Sequence, residues 1–176
     1  NLNLDMGYTQ GYKKTDALKK SGNKSHFFSN FISNFRGENN SENIFKFKTQ
    51  NVSNDKYLKL YRIKTDLVDY NQDILENYLD FSHSNEDLFF SSNFTIYENL
   101  KENYNDKYEY IFPDISVDKN LFDNDMLGSL GLQSNLRINN YDTNKTAKFF
   151  INDFNWRVKE HFFDNGLKGK LIGKFK

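Results

Sequence analysis

Along most of this chain apolar and polar positions alternate, the period that gives each face of a β-strand its own chemistry. The clearest run is GSLGLQSNLRINNY, from Gly128 to Tyr141. Leu130, Leu132, Ser134, Leu136 and Ile138 fall on one side of it, and Gly131, Gln133, Asn135, Arg137 and Asn139 on the other. The same rhythm groups Leu2, Leu4, Met6 and Tyr8, then Phe27, Phe31 and Phe35, then Phe45 and Phe47 between Lys46 and Lys48. KYLKLYRIK reads as a less regular strand. Leu75, Leu79 and Phe81 share a side before SHSNED, and Leu88, Phe90, Phe94 and Ile96 share one after it, which predicts a hairpin. Residues 66–79 also fit a short helix, with a strand the preferred reading.

Further on, Ile111, Ile115 and Val117 take one side of DKYEYIFPDISVDKNLF. Pro113 within it has no ladder donor, so it predicts a bulge, a strand start or an edge. Phe150, Phe154, Trp156 and Val158 then alternate with Asp153, Asn155, Arg157 and Lys159. The last run sets Leu167, Leu171 and Phe175 against Lys168, Lys170 and Lys174. Gly128 and Gly131 lie inside strand patterns, where glycine marks a bend or a close backbone approach. The expectation is an all-β domain over residues 1–176, an antiparallel up-and-down meander of about ten long strands.

Alternation alone leaves open which side is inside. A soluble sheet would bury the leucines, whereas a barrel wall in a membrane would turn them to lipid and Arg137 to a wet lumen. Three features favour the membrane. The runs reach the ~9–11 residues that a tilted membrane strand needs. Phe122, Tyr141, Phe162, Phe163 and Tyr104 gather near run ends, as interfacial girdles do. The polar side mixes Gln, Asn, Arg, Asp and Lys, which suits a water-filled interior.

Composition narrows the function classes. Aromatics are 17% of the chain despite a mean hydropathy of −0.83, too many for a disordered polypeptide. Lys plus Arg and Asp plus Glu are 24 each, which argues against a general nucleic-acid binder. There is no cysteine, hence no disulfide and no thiolate metal site. No run approaches the ~20 apolar residues of a membrane helix. The chain begins at Asn1 without Met and stops at Lys176 inside an alternating run, so it reads as a piece of something longer. Its 26 Asn read as the mark of an AT-rich coding sequence.

Sites of chemistry are sparse. His26, His83 and His161 lie far apart, without metal-ligand spacing. Ser91–Phe94 lacks the context of a serine nucleophile. Asp123, Asn124 and Asp125 are not followed by a calcium-binding loop. The lysine-rich GYKKTDALKKSGNKS reads as a solvated loop, with contact to anionic headgroups or saccharide phosphates as the functional alternative. Neither a catalytic residue nor a metal nor a cofactor is expected.

From about Val52 onward the chain resembles the barrel domain of the LPS-assembly outer-membrane family LptD, in its alphaproteobacterial form. The segments that carry the resemblance are DKYLKLYRIKTD, then DLFFSSNFTIYENLKENYNDKYEYIFPDISVDKNLF, then GSLGLQSNLRINNYDTNKTAKFFINDFNW, then NGLKGKLIGKFK. The central one, running through Asp106–Tyr110 to Pro113, is the most specific, and the order of all four persuades more than any single one. The resemblance implies part of a large transmembrane β-barrel in the cell outer membrane, with the periplasmic jellyroll and other strands outside this chain. It implies lipopolysaccharide as cargo, the lipoprotein LptE as plug and the periplasmic bridge protein LptA as a partner reached through the jellyroll. It makes Leu130, Leu132, Leu136, Ile138, Phe150, Phe154 and Trp156 lipid-facing. Gln133, Asn135, Arg137, Asp153, Asn155, Arg157, Lys168 and Lys170 become candidates to line the cargo's path. Competing readings are a porin-like outer-membrane channel and a soluble β-sandwich binding module.

Overall fold

The computed structural model describes residues 1–15, 18–38, 40–101, 106–142, 144–162 and 166–175; side chains of residues 10–23, 161 and 162 are outside that description. Eight long strands follow in chain order: β1 (Leu2–Thr15), β2 (Leu18–Arg36), β3 (Glu42–Val52), β4 (Ile74–Ser84), β5 (Leu88–Asn99), β6 (Tyr108–Asn124), β7 (Gly128–Tyr141) and β8 (Lys145–Arg157). A five-residue helix, α1 (Tyr57–Tyr61), stands between β3 and β4. The short pair β9 (His161–Phe162) and β10 (Lys168–Gly169) forms its own ribbon, and β11 (Ile172–Phe175) returns to β8. Every long strand pairs antiparallel with its neighbours in sequence, giving one nine-stranded sheet in the order β1 to β8, then β11. It does not close; β1 and β11 are its edges.

Directly paired residues point to the same side of a sheet, so the register sorts the side chains. Across β6, β7 and β8 one face carries the rows Phe122–Leu130–Trp156, Lys119–Leu132–Phe154 and Ile115–Leu136–Phe150. The same face takes Leu79 and Phe81 of β4 beside Phe45 and Phe47 of β3, then Phe31 and Phe27 of β2, then Leu2 and Met6 of β1. The apolar side of every long strand is therefore on one face. Nothing among the described residues covers it: Phe150 is 67% exposed and Met6 61%. The opposite face holds Asn30, Lys46, Lys48, Glu76, Asp80, Asn93, Asp114, Ser116, Gln133, Asn135 and Arg137.

The two ends of the sheet differ. At one end the connections are tight, at 37–41, 85–87 and 125–127. Asn85 and Asn124 build two of them, each side-chain oxygen accepting from the backbone N–H groups two and three residues on. Several of the abundant asparagines thus have structural work. At the other end lie the long segment 53–73, the end of β5 with the start of β6, and the short step from Tyr141 of β7 to Lys145 of β8. The 158–171 connection breaks this asymmetry at the short-turn end.

The structure corrects four expectations. The lysine-rich stretch is paired strand, with Lys13 opposite Lys20 and Lys14 opposite Lys19. KYLKLYRIK is not a strand: its first residues form α1, because Tyr57 and Leu58 are buried against Phe28. Ile111 does not share a face with Ile115 and Val117. Pro113 sits in a bulge between Ile111 and Asp114, and the extra residue flips the pattern, leaving Ile111 opposite Asn139 on the polar face. Finally, Leu167–Phe175 is not one strand, so Lys168 and Lys170 leave the sheet. The hairpin at SHSNED forms as expected, its first strand beginning at Ile74, but Leu75 does not share the bare face with Leu79 and Phe81: it is buried in the cluster with Phe28 and Leu58. Of the expected girdle, Tyr104 and Phe163 lie outside the described residues, Phe122 joins the apolar face and Tyr141 falls on the polar side of β7.

Glycine 128 is required by geometry. Its φ is +81°, and a Cβ there would lie 2.0 Å from the Arg157 carbonyl oxygen, so β7 can start beside the end of β8 only without a side chain. Gly131 has room, with nothing nearer than 4.0 Å; it lies opposite the second irregularity of β6, between Asn120 and Phe122.

Candidate functional site

The polar face is laced by cross-strand pairs. On β6 and β7, Arg137 Nε donates to Asp114 Oδ2 at 2.9 Å, and its terminal nitrogen makes a second bond to the same oxygen. Ser116 Oγ donates to Asn135 at 2.9 Å and Gln133 Nε2 to Asp118 at 2.8 Å, so three successive rungs are each closed by one polar pair. Asn139 Nδ2 continues the series to Glu109 at 3.2 Å. On β3 and β4, Lys48 Nζ lies 2.8 Å from Glu76 and Lys46 Nζ 3.6 Å from Asp80. Alternating donors and acceptors on a partly exposed face form weak, exchangeable bonds, each contributing on the order of 1 kcal/mol or less.

The predicted path residues divide. Gln133, Asn135 and Arg137 face Asp153, Ile151 and Phe149 across β7–β8, and Asn155 and Arg157 continue the same face opposite Gly131 and Ser129. Six of the eight candidates thus share one surface. Asp153 Oδ1, shielded from solvent, makes no hydrogen bond. Lys168 and Lys170 stand apart in the 158–171 connection, 2.6 and 3.7 Å from Glu160. The Lys168 hydrogen bond holds the Glu160 carboxyl below its usual range. Phe149 and Ile151 were not anticipated there; both are about half exposed and line a hollow with Ser91, Asn93, Asp114, Ser116, Asn135 and Arg137. Their signal was present, since FFI keeps an apolar residue on both parities. The seven predicted lipid-facing residues all lie on the apolar face, in the rows given above and with Ile138 opposite Lys148. Lys119 and Lys148 share that face but sit toward strand ends, where a long side chain reaches water. Asn152, opposite Ser134, is the polar break in its middle.

At the long-connection end, segment 53–73 folds against the polar face as a flap. His26 stacks on Phe28, with ring centroids 4.8 Å apart, and its Nδ1 is 3.0 Å from the Tyr57 hydroxyl; its Nε2 is 3.3 Å from Asp5. Phe28, Tyr57, Leu58, Val68 and Leu75 form the buried core, Phe28 and Leu75 with no exposed surface. Gln50, nearly buried, ties the flap to the sheet: its Nε2 donates to Leu67 O at 2.7 Å, and its Oε1 accepts from Glu76 N and Gln72 Nε2, both at 2.9 Å.

Ion pairs pin the flap's rim. Asp73 accepts from Lys101 at 2.5 Å and Lys59 at 2.6 Å, and these bonds hold its carboxyl below the usual range. Lys107 bridges Asp55 at 2.6 Å and Glu98 at 2.9 Å. Burial pulls the Lys107 ammonium down, but the two carboxylates more than offset this and raise it above the usual lysine value. Burial likewise raises the Tyr57 phenol, with Tyr61 and Asp5 adding to the effect.

Among the described residues no cluster of His, Asp and Glu has metal-binding geometry. The arrangement offers a two-faced wall, a ladder of polar pairs and a flap at one end of it. No protein-family model, curated protein or solved structure matches the chain.

Proposed function

We propose that this chain is a wall segment of a large outer-membrane β-barrel that passes lipopolysaccharide to the outer leaflet, as in the LptD family its sequence resembles. The observation that carries the wall reading is the bare apolar face. A soluble protein of this size encloses its apolar side chains, yet here a largely apolar surface, broken at Asn152, spans the sheet, and among the described residues the buried core belongs to the flap and its seat. Every long strand has at least 11 residues, enough to cross a hydrocarbon layer when tilted. The tight turns at 37–41, 85–87 and 125–127, with the long segment 53–73 at the opposite end, follow the usual asymmetry of such barrels in part; the short step from Tyr141 to Lys145 and the long 158–171 connection run against it.

The lipopolysaccharide reading rests on the order of the four quoted segments and on the chemistry of the polar face. A phosphorylated, sugar-rich headgroup pays several kcal/mol for each unsatisfied polar group in hydrocarbon. A hydrated wall bearing Gln133, Asn135, Arg137, Asp153, Asn155 and Arg157 exchanges hydrogen bonds with it instead. No bond is made or broken, so the chain acts without a catalytic group. LptE as plug and LptA as periplasmic partner belong to the same proposal, as does the outer-membrane location.

Spin labels at single cysteines replacing Leu132, Gln133, Leu136 and Arg137, in protein reconstituted in bilayers, test the wall. Oxygen should relax labels 132 and 136 and a water-soluble agent labels 133 and 137; shielding of 132 and 136 from both would overturn it. A photo-crosslinker at Asn135 in cells should capture lipopolysaccharide. Ion conduction without such capture would point to a porin-like channel.

A further inference from the structure

We infer that the β1–β2 hairpin beyond the sheet is a docking ribbon for the phosphate groups of lipid headgroups, in the leaflet at the flap end. This rests on the wall reading and adds to it a surface that holds the barrel's rim against the membrane. The pairing of β2 with β3 stops at His26 opposite Val52, and the last backbone bond joins Ser53 N to Ser25 O. Seven further pairs, from Thr9 opposite Lys24 to Thr15 opposite Leu18, involve β1 and β2 alone. At ~3.3 Å per residue the ribbon runs about 23 Å past the third strand.

Its charge is unlike that of the rest of the chain. Residues 9–24 contain Lys13, Lys14, Lys19, Lys20 and Lys24 against a single carboxylate, Asp16, a net of 5 − 1 = +4. The whole chain balances 24 basic against 24 acidic residues, so the remainder carries −4. The neutral total hides a polarised molecule. The flap shows the contrast: there Lys59, Lys101 and Lys107 are matched by Asp73, Asp55 and Glu98.

The register makes the concentration costly. Lys13 lies opposite Lys20, and Lys14 opposite Lys19 in the next rung. Like charges directly opposed destabilise a strand pair, and a lone two-stranded ribbon is marginal in water. Multivalent anions spaced at headgroup distances relieve both penalties, because lysine binds phosphate as a point charge without demanding one geometry. Lipid supplies such anions as a plane, where each lysine close to the surface strengthens attachment about fivefold. The base of the ribbon is fixed, with Lys24 Nζ 5.3 Å from the centroid of the Tyr61 ring on the flap. Lys24 is therefore held beside the rim, and the paired lysines continue up to ~20 Å beyond it along the ribbon.

The chain has no cysteine, so single labels are unambiguous. The full chain, labelled at Ser21→Cys, is reconstituted in vesicles of phosphatidylcholine alone or with a third phosphatidylglycerol, each with a headgroup-attached quencher. Quenching should be several-fold stronger in the anionic vesicles, fall with added salt, and drop to the neutral-vesicle level when Lys13, Lys14, Lys19 and Lys20 are all changed to Gln. Equal quenching in both vesicles, or no effect of the four substitutions, overturns the proposal. Binding of soluble polyphosphate that exceeds any response to the anionic leaflet overturns it in favour of a non-lipid partner. A second label at Leu132→Cys, read with an acyl-chain quencher, tests the wall separately. Quenching at 132 with no charge dependence at 21 overturns the ribbon alone; absence of quenching at 132 overturns the wall, whatever 21 reports.

Discussion

The two halves of the sheet are stabilised differently. Strands β2 to β5 meet the flap, and all of the buried core lies there, around Phe28, Leu58 and Leu75. Strands β6 to β8 have ladder hydrogen bonds and the cross-strand pairs of Arg137, Gln133 and Asn135, but no buried apolar cluster among the described residues. The first half carries a small core of its own. The second has two surfaces of opposite polarity and depends on what lies against each. On the proposed wall reading, an apolar face turned to lipid needs only backbone pairing from its own chain, whereas a flap in water must bring its own interior.

The largest expected effect comes from removing lipid. In water without detergent the chain should associate through its bare face and its unpaired edges, β1 and the outer side of residues 145–153 of β8. Sedimentation should give oligomers, and a monomer that melts cooperatively would break the contrast between the halves. Next, Gly128→Val forces a side chain into the Arg157 carbonyl at a positive φ, and should cost ~3 kcal/mol or more. Hydrogen exchange in micelles should then show lost protection in β7 and β8 while the flap stays protected.

Leu58→Ala sharpens the other side of the comparison. Truncating a side chain only 1% exposed should cost ~2–5 kcal/mol, registered as faster exchange in 53–73 and β4 with β6–β8 unchanged. A double-mutant cycle on Arg137 and Asp114 should return ~1 kcal/mol or less, because the pair is partly solvated. A much larger coupling would mean that the polar face is dry.

The smallest effect is a pH dependence. Asp73 has its folded-state pKa lowered, so its contribution is complete above the ordinary carboxylate range and is lost as pH falls through the depressed value. The flap should loosen in acid, below pH ~4, and Asp73→Asn should abolish that step. Tyrosine fluorescence of a variant keeping Tyr57 and Tyr61 would follow it.

Much of the wall was legible because a period of two needs no tertiary help to read. Leu130 to Ile138 and Phe150 to Trp156 fall on one face as their alternation predicts, and Pro113 marked a bulge, a strand start or an edge, of which the bulge formed. What alternation cannot do is survive that bulge, and Ile111 changed sides for that reason. The flap was illegible for a different one. YLKLY is too short for helical periodicity, and its helix exists because Tyr57 and Leu58 find Phe28, which lies some 30 residues earlier in the chain. The lysine ribbon was hidden by its own composition, since glycine and charge read as a loop while the register shows paired strands. The polar face was legible on β7 and β8, where six of the candidates share it, and Lys168 and Lys170 fell outside it because the last run left the sheet.

Gly128 also bears on ancestry. On the proposed wall reading, lipid tolerates any apolar side chain and a wet face most polar ones, so sequences drift freely across both faces. The backbone contact at Gly128 admits no such drift. Its neighbours are bound to the same turn: Asn124 closes it, and the Trp156 indole donates to Leu127 O at 2.8 Å. Relatives that have diverged almost everywhere should still carry an asparagine, a glycine four residues later and a tryptophan 28 residues beyond that, a sparse signature by which distant kin would be recognised.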